Sequence, residues 1–476
     1  MPNGRRISLH VALLAAGLAG AGCGSSGGKG AHNDGSTPDT PPLPTCPGSG
    51  LFGDPARTCP PPDPPIANCT FGDPQVKMSL PVVSSTFEAE MMTAVDPRPG
   101  SQLAYAATIE SIVASDGTVG SPTGACIIRK RIHVYRSQDL GKTWGDMPGT
   151  QNLPHRDPFP IAGGGTDPGD WLTDPDISVG VDGTVYLTTQ LNHGTLDCQT
   201  AQNLQVVEVQ LWTAPPPEGG QDPGLKPAFG PSQAGLPNVA VGADHPQVTA
   251  SRASSGQVMV SGAFADQGTG NSIVATFQRG ANGLFHESAP RIVTDAFSNL
   301  ATDENGELYV ATAAGNLEPK IRRFHWNQDH WDEVASALVP LAPDRTSDEG
   351  ARIPSPPSDP NHPIILASDI TPALIVSALG STTTPIVYVA FPVTLSDDAP
   401  ADIEVAAVNS DELAQPDKWQ VRVVPHPPGS IQSFHPNLGL DGPGNVLDLL
   451  AFDLKGPPGG APDLSAFELS DRKSVV

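Results

Sequence analysis

The sequence predicts an all-β protein: a disordered tether followed by six four-stranded blades closed into a β-propeller. Three observations predict it. Gly and Pro number 50 and 53 among 476 residues, a load that helix interiors do not tolerate and that many short strands joined by turns do. Charged residues make up only 16% and aromatics 5%, again unlike a set of amphipathic helices. Third, a degenerate repeat runs along the chain, and internal repetition of this kind signals a stacked or radial array.

Each unit of the repeat is an acidic or His/Pro loop, an alternating apolar strand, a Gly-centred turn, and a second strand with a large residue three after the Gly. Asp174-Pro175-Asp176-Ile177-Ser178-Val179-Gly180-Val181-Asp182-Gly183-Thr184-Val185-Tyr186-Leu187 is its clearest copy. Others start at His245-Pro246-Gln247-Val248, at Ser298-Asn299-Leu300 and at His435-Pro436-Asn437-Leu438, with turns at Gly256, Gly306 and Gly444. Looser copies surround Glu90 to Tyr105 and Pro372 to Tyr388, which brings the total to six. The Asp182-Gly183 and Asn305-Gly306 turns are expected to hold both central residues at positive φ, as tight hairpins do.

A second hairpin follows in most copies, its later strand opening at Trp144, Phe285, Trp331 or Trp419. Two hairpins make a four-stranded blade, and a closed ring of blades leaves no long edge exposed. Little strand-like sequence follows Lys455, whereas Val76 to Phe87 is apolar to spare. That N-terminal segment is expected to pair into the last blade and close a propeller spanning 76–456, with 457–476 as a tail.

The N-terminus addresses the chain. Arg5 and Arg6 form a basic start, Leu9 to Leu18 a short, mostly apolar run, and Gly20-Ala21-Gly22 a small-residue approach to Cys23. The run is too short to span a bilayer. The pattern resembles a bacterial lipoprotein signal, which implies removal of 1–22, acylation of Cys23 and attachment to a membrane from the exported side: outer membrane, periplasm or cell surface. Residues 23–75 are rich in Pro, Gly and Ser and cannot bury enough apolar surface to offset their ordering entropy, so they read as the tether. In an oxidising compartment Cys126 with Cys198, and one pair from Cys46, Cys59 and Cys69, are candidate disulfides.

The formal charge is −25, and loss of the first 22 residues removes two arginines and no acid. Such a surface repels phosphate backbones, so nucleic acid is not an expected partner. A monomer is expected.

Ser137-Gln138-Asp139-Leu140-Gly141-Lys142-Thr143-Trp144 fits the Asp-box pattern S-x-D-x-G-x-T-W at Ser137, Asp139, Gly141, Thr143 and Trp144. Short Ser and Asp side chains can accept the turn's own amides, Gly141 allows an unusual backbone, and the indole packs beneath. With the repeat around it, this box resembles the sialidase/neuraminidase (BNR-repeat) superfamily over roughly residues 80–455. The resemblance implies a sialidase-like six-bladed propeller with the box on the side away from the ligand mouth.

It also implies what a sialidase would need: three arginines on the substrate carboxylate, a tyrosine nucleophile with a glutamate, and an aspartic acid proton donor. The residues do not assemble that set. Tyr105, Tyr135, Tyr186, Tyr309 and Tyr388 all fall in strand patterns and read as core. Arg352 lies in an Arg-Ile-Pro tripeptide like that of sialidases, but between the fourth and fifth copies, and Arg252 and Arg291 stand alone. Repeat-start loops are expected to surround the channel mouth, which makes Asp174, Asp176, Asp244, His245, His435 and Asn437 the ligand-mouth candidates, with Asp167 and Asp170 nearby. Carboxylates there suit a calcium ion, or acid–base glycoside chemistry with Asp176 or Asp244 as acid; equally, Asp and Asn are ordinary turn residues. His193 and His426 read as isolated loop histidines. The expected function is non-catalytic binding of a glycan or a protein at the mouth; the alternative is a divergent exo-sialidase or other glycoside hydrolase.

Overall fold

The computed structural model describes residues 86–113, 128–153, 159–160, 166–167, 170–193, 205–218, 223–237, 246–262, 272–294, 298–313, 319–342, 372–376, 384–393, 402–424, 430–441, 446–455 and 463–472. Cys23, the tether, Cys126, Cys198, Asp244, His245 and Arg352 lie outside them.

The chain is an all-β propeller of antiparallel sheets. Blade 1 runs outward through Thr86–Val95, Ala104–Val113, Ile128–Ser137 and Gly145–Asp146. Blade 2 uses Asp170–Val179, Val185–His193, Gln205–Ala214 and Lys226–Pro227. Blade 3 uses Gln247–Ala250, Gln257–Gly262 and Ser272–Arg279, with its outer edge split between Phe285–Glu287 and Ile292–Thr294. Blade 4 comprises Ser298–Thr302, Leu308–Ala313, Pro319–Asn327 and His330–Leu338; blade 5 comprises Ala373–Val376, Ile386–Val393, Asp402–Asn409 and Gln420–Val423. A three-stranded sheet of Ser430–Asp441, Val446–Lys455 and Asp463–Arg472 follows.

The expected six four-stranded blades are therefore corrected to five, followed by this smaller C-terminal sheet. Two assignments change with it. Thr86 and Phe87 pair with Ile112 and Ser111 at the start of blade 1, not with the last sheet; the rest of the proposed closing segment, 76–85, lies outside the described residues. Asp463–Arg472, expected to be tail, forms a full ladder with Val446–Lys455. The Gly-Pro-rich run at 456–462 reads as a terminator but here separates two paired strands.

The first strand of each sheet is innermost and packs on the first strand of the next, from blade 1 through to the C-terminal sheet. A strand inside such a stack is covered on both faces, so it reads as a continuous apolar run and not as an alternation; all eight residues of Ile386–Val393 are buried. Each junction holds its own apolar cluster. Tyr105, Ile109 and Val134 meet Leu172, Ile177 and Leu187 between blades 1 and 2, and Val209 and Leu211 meet Val248 and Val260 between blades 2 and 3. Met259 and Val274 meet Leu300 and Val310, Ile321 meets Val376 and Val387, and Tyr388 with Val405 receives Leu438 of the C-terminal sheet.

The hairpin turns differ from expectation in one detail. Gly183 and Gly306 have φ of +79° and +82°, but Asp182 and Asn305 do not have positive φ. Instead Gly183 N–H donates to the Gly180 carbonyl and Gly180 N–H to the Thr184 carbonyl, and Gly306, Asp303 and Glu307 repeat the pattern. One ordinary turn closes with a single left-handed glycine, and an acid caps it: Asp182 accepts from Thr184 N–H at 3.0 Å, Asp303 from Glu307 N–H at 3.0 Å. The side-chain cap makes a second positive φ unnecessary.

Candidate functional site

Inner strands all begin at one end of the stack of blades, where second strands end and third strands begin; this is the end at which the sequence places the ligand mouth. At this end the regular ladder is broken three times in the same way. In blade 2 the register steps from Thr173 to Asp176 while its partner steps only from Gln190 to Thr188, so Asp174 and Pro175 together oppose Thr189. Blade 1 does the same with Glu90 and Met91 opposite Thr108, and the C-terminal sheet with His435 and Pro436 opposite Ala451. Each is a β-bulge, a device that re-aims the backbone and recurs beside binding sites. The first bulged residue is ionisable each time: Glu90, Asp174, His435. Asp174 holds φ at +49°, a left-handed conformation that costs a non-glycine residue about 1–2 kcal/mol. The hydroxyls of Thr108 and Thr189, opposite two of these bulges, are buried and make no hydrogen bond among the described residues.

Asp176 follows the blade 2 bulge and reaches across to the neighbouring blade. The inner edge of Gln247–Ala250 has no strand beside it, so its free amides need acceptors. Asp176 Oδ2 accepts from Val248 N–H at 2.6 Å and Oδ1 from Ile177 N–H at 2.9 Å; Ser178 Oγ accepts from Ala250 N–H at 3.1 Å. Enclosure pushes the Asp176 carboxyl up to about 7, against the pull of the two amides. The residue is half-buried as a whole, so residual solvent access also works against that rise. The carboxylate is a fastener between blades 2 and 3.

His193 is not isolated. It ends the second strand of blade 2 directly opposite Asp170, and its Nδ1 lies 2.8 Å from Asp170 Oδ1. Over the next three rungs, on the other face of the sheet, Gln190 donates to Asn192 at 3.0 Å and Asn192 to Thr173 at 2.8 Å, all three side chains buried. In blade 1 the corresponding end carries buried Glu110 paired with Arg131, with His133 at 3.8 Å.

Of the remaining candidates, His435 and Asn437 sit on the inner strand of the C-terminal sheet, at the bulge and just after it. Arg252 Nη1 donates to the Val376 carbonyl at 3.2 Å, and Arg291 grips Glu287 and the Pro237 carbonyl; both tie chain segments together. The five tyrosines are at most 2% exposed. Among the described residues no group of His, Cys, Asp or Glu is assembled to hold a metal ion, so a calcium site finds no ligand set there.

At the opposite end, between the third and fourth strands of blade 1, the Asp-box closes on itself. Ser137 Oγ accepts from Gly141 N–H at 2.7 Å and donates to Asp139 at 2.7 Å. Asp139 accepts from the Thr143 amide at 2.8 Å and hydroxyl at 2.7 Å, and Trp144 Nε1 donates to the Gly141 carbonyl at 2.9 Å. Those bonds, Thr143's hydroxyl first, hold the Asp139 carboxyl down to about 2.

No protein-family model matches the sequence, and no curated protein matches it. Solved propeller structures resemble it distantly. A subtype N11 neuraminidase-like protein of a flat-faced bat isolate from Peru is 8% identical, with 82% of this chain and 88% of that one covered and a TM-score of 0.36. The periplasmic gluconolactonase of Pseudomonas aeruginosa is 13% identical over 79% and 87% of the two chains, TM-score 0.36. The GH93 α-L-arabinofuranosidase of Fusarium graminearum is 12% identical over 81% and 98%, TM-score 0.33. At that level of likeness they bear on neither the ligand nor the activity of this chain.

Two features of the mouth escaped the sequence. The Asp170–His193 pair was legible only through register, since 23 residues separate its members. Glu90 had a signal, because the loosest repeat copy begins there, but the bulge that sets it beside Asp174 and His435 in kind leaves no mark on composition.

Proposed function

We propose that the chain is an exported, lipid-anchored propeller of sialidase-like kind that binds a glycan or protein ligand at its mouth without turning it over. One observation carries the non-catalytic reading: Asp176, the one of the two candidate acids that lies among the described residues, has both oxygens committed to backbone amides. A proton donor must reach the leaving oxygen within hydrogen-bond distance. The buried tyrosines add support, since none is available as a nucleophile. The bulges in the inner strands, a device that recurs beside binding sites, support a ligand site at this end. The leader ending at Cys23 supports export and anchoring.

Glycoside hydrolysis is the second reading, favoured by the raised pKa of Asp176 near 7, which suits a general acid. Incubating the mature protein with fluorogenic sialosides and a panel of neutral glycosides, with and without calcium, separates the two. No turnover is expected. Hydrolysis that disappears in a folded Asp176→Ala variant would overturn the binding reading. Labelling of Cys23 by a palmitate analogue, lost in Cys23→Ser, tests the anchor.

A further inference from the structure

We propose that the Asp170–His193 pair is a contact for the hydroxyls of a neutral sugar at the rim of blade 2; the proposal rests on the reading of the mouth as a ligand site. Asp170 opens the inner strand and His193 closes its neighbour, so the ladder itself fixes them face to face. A carboxylate can only accept, which assigns the imidazole proton to Nδ1 and leaves the Nε2 lone pair of the neutral ring pointing elsewhere. Among the described residues Nε2 has no hydrogen-bond partner. The His193 and Asp170 side chains remain 37% and 28% exposed. A pair so exposed adds only about 0–1 kcal/mol to stability, so stability alone gives little reason to orient a histidine here.

The surroundings are built for polar recognition. Thr173, Gln190 and Asn192 form a buried chain one to three rungs in, on the other face of the sheet, which stiffens the strands that carry the pair. Deeper on the His193 face, Thr189 keeps a buried hydroxyl with no hydrogen-bond partner among the described residues, an atom that an ordered water would satisfy. A sugar hydroxyl both donates and accepts, so it can donate to Nε2. The net charge of −25 disfavours sialic and uronic acids, which leaves neutral sugars.

The mature protein would be tested against immobilised arabino-, xylo-, gluco- and galacto-oligosaccharides and against sialyllactose. Wild type is expected to hold at least one neutral oligosaccharide, to weaken tenfold or more in His193→Ala, and to recover partly in His193→Gln, which keeps an acceptor. Asp170→Asn, at a positioning residue, is expected to lower affinity several-fold and to change the pH profile of binding, which loss of a merely structural contact would leave in place. Neutral-sugar binding unchanged in folded His193→Ala and His193→Gln would sink this inference while leaving the mouth as a binding site. Preference for sialyllactose would overturn the neutral-sugar assignment alone. No glycan binding by wild type would end the inference, and if no protein ligand were found either, the reading of the mouth would fall with it.

Discussion

Asp139 and Asp176 carry the same group and are driven in opposite directions. Asp139, half-exposed and ringed by donors, titrates near 2 in the folded chain against an ordinary 3.8. Its stabilisation is therefore complete above about pH 4 and drains away as pH falls toward 2. Asp139→Asn should lower the melting temperature at neutral pH and flatten its decline between pH 4 and 2, as read by circular dichroism. Asp176 titrates near 7, so between pH 4 and 7 the unfolded chain ionises it while the folded chain resists. Its contribution is full below pH 4 and declines as pH rises to 7. Asp176→Asn keeps one acceptor and sets an amide against an amide. Urea denaturation at pH 5 should show a loss of roughly 1–3 kcal/mol, with less pH dependence between 4 and 7 than wild type. An unaltered slope would mean that the carboxyl does not titrate there.

At the scale of elements, the hairpins between inner and second strands of blades 1 to 4 each carry one left-handed glycine, Gly100, Gly183, Gly256 and Gly306. Gly306→Ala places a methyl 3.0 Å from Ala253 Cβ at φ +82°, and should cost about 1–2 kcal/mol, mostly from the backbone. Gly183→Ala should cost more, since its methyl would run into the Arg98 guanidinium, which is held by Asp96 at 2.6 Å. Chemical denaturation of the two variants ranks them. These turns were legible because Gly after Asp or Asn, followed three residues later by Tyr186 or Tyr309, is a local pattern. The Asp-box was legible for the same reason: Ser137 to Trp144 satisfy one another. The bulges were not, because a Pro at 175 or 436 announces a strand start as readily as a bulge within one. Nor was the strand Asp463–Arg472, whose pairing is decided by Val446–Lys455 and not by its own weak alternation.

For the whole molecule, stability is distributed over junctions, since no blade buries both of its faces alone. Leu308→Ala, at a fully buried side chain between blades 3 and 4, should cost about 2–5 kcal/mol and lower the midpoint of a single transition seen by both fluorescence and far-ultraviolet dichroism. Truncation after Lys455 removes the outer strand of the C-terminal sheet and exposes the edge of Val446–Lys455. Such an edge invites pairing between chains, so the truncated protein should aggregate at lower temperature than wild type in light scattering.

The polar fasteners are unevenly shared between the two ends of the ring. Arg98–Asp96, Arg279–Asp182, Tyr309–Asp303 and the Asp-box all occupy the end away from the mouth. Their removal threatens the scaffold, whereas half-exposed residues such as Asp170 and His193 can change at little structural cost. A lineage carrying this architecture is thus free to exchange one ligand for another through a few rim substitutions, with the opposite rim acting as the keel.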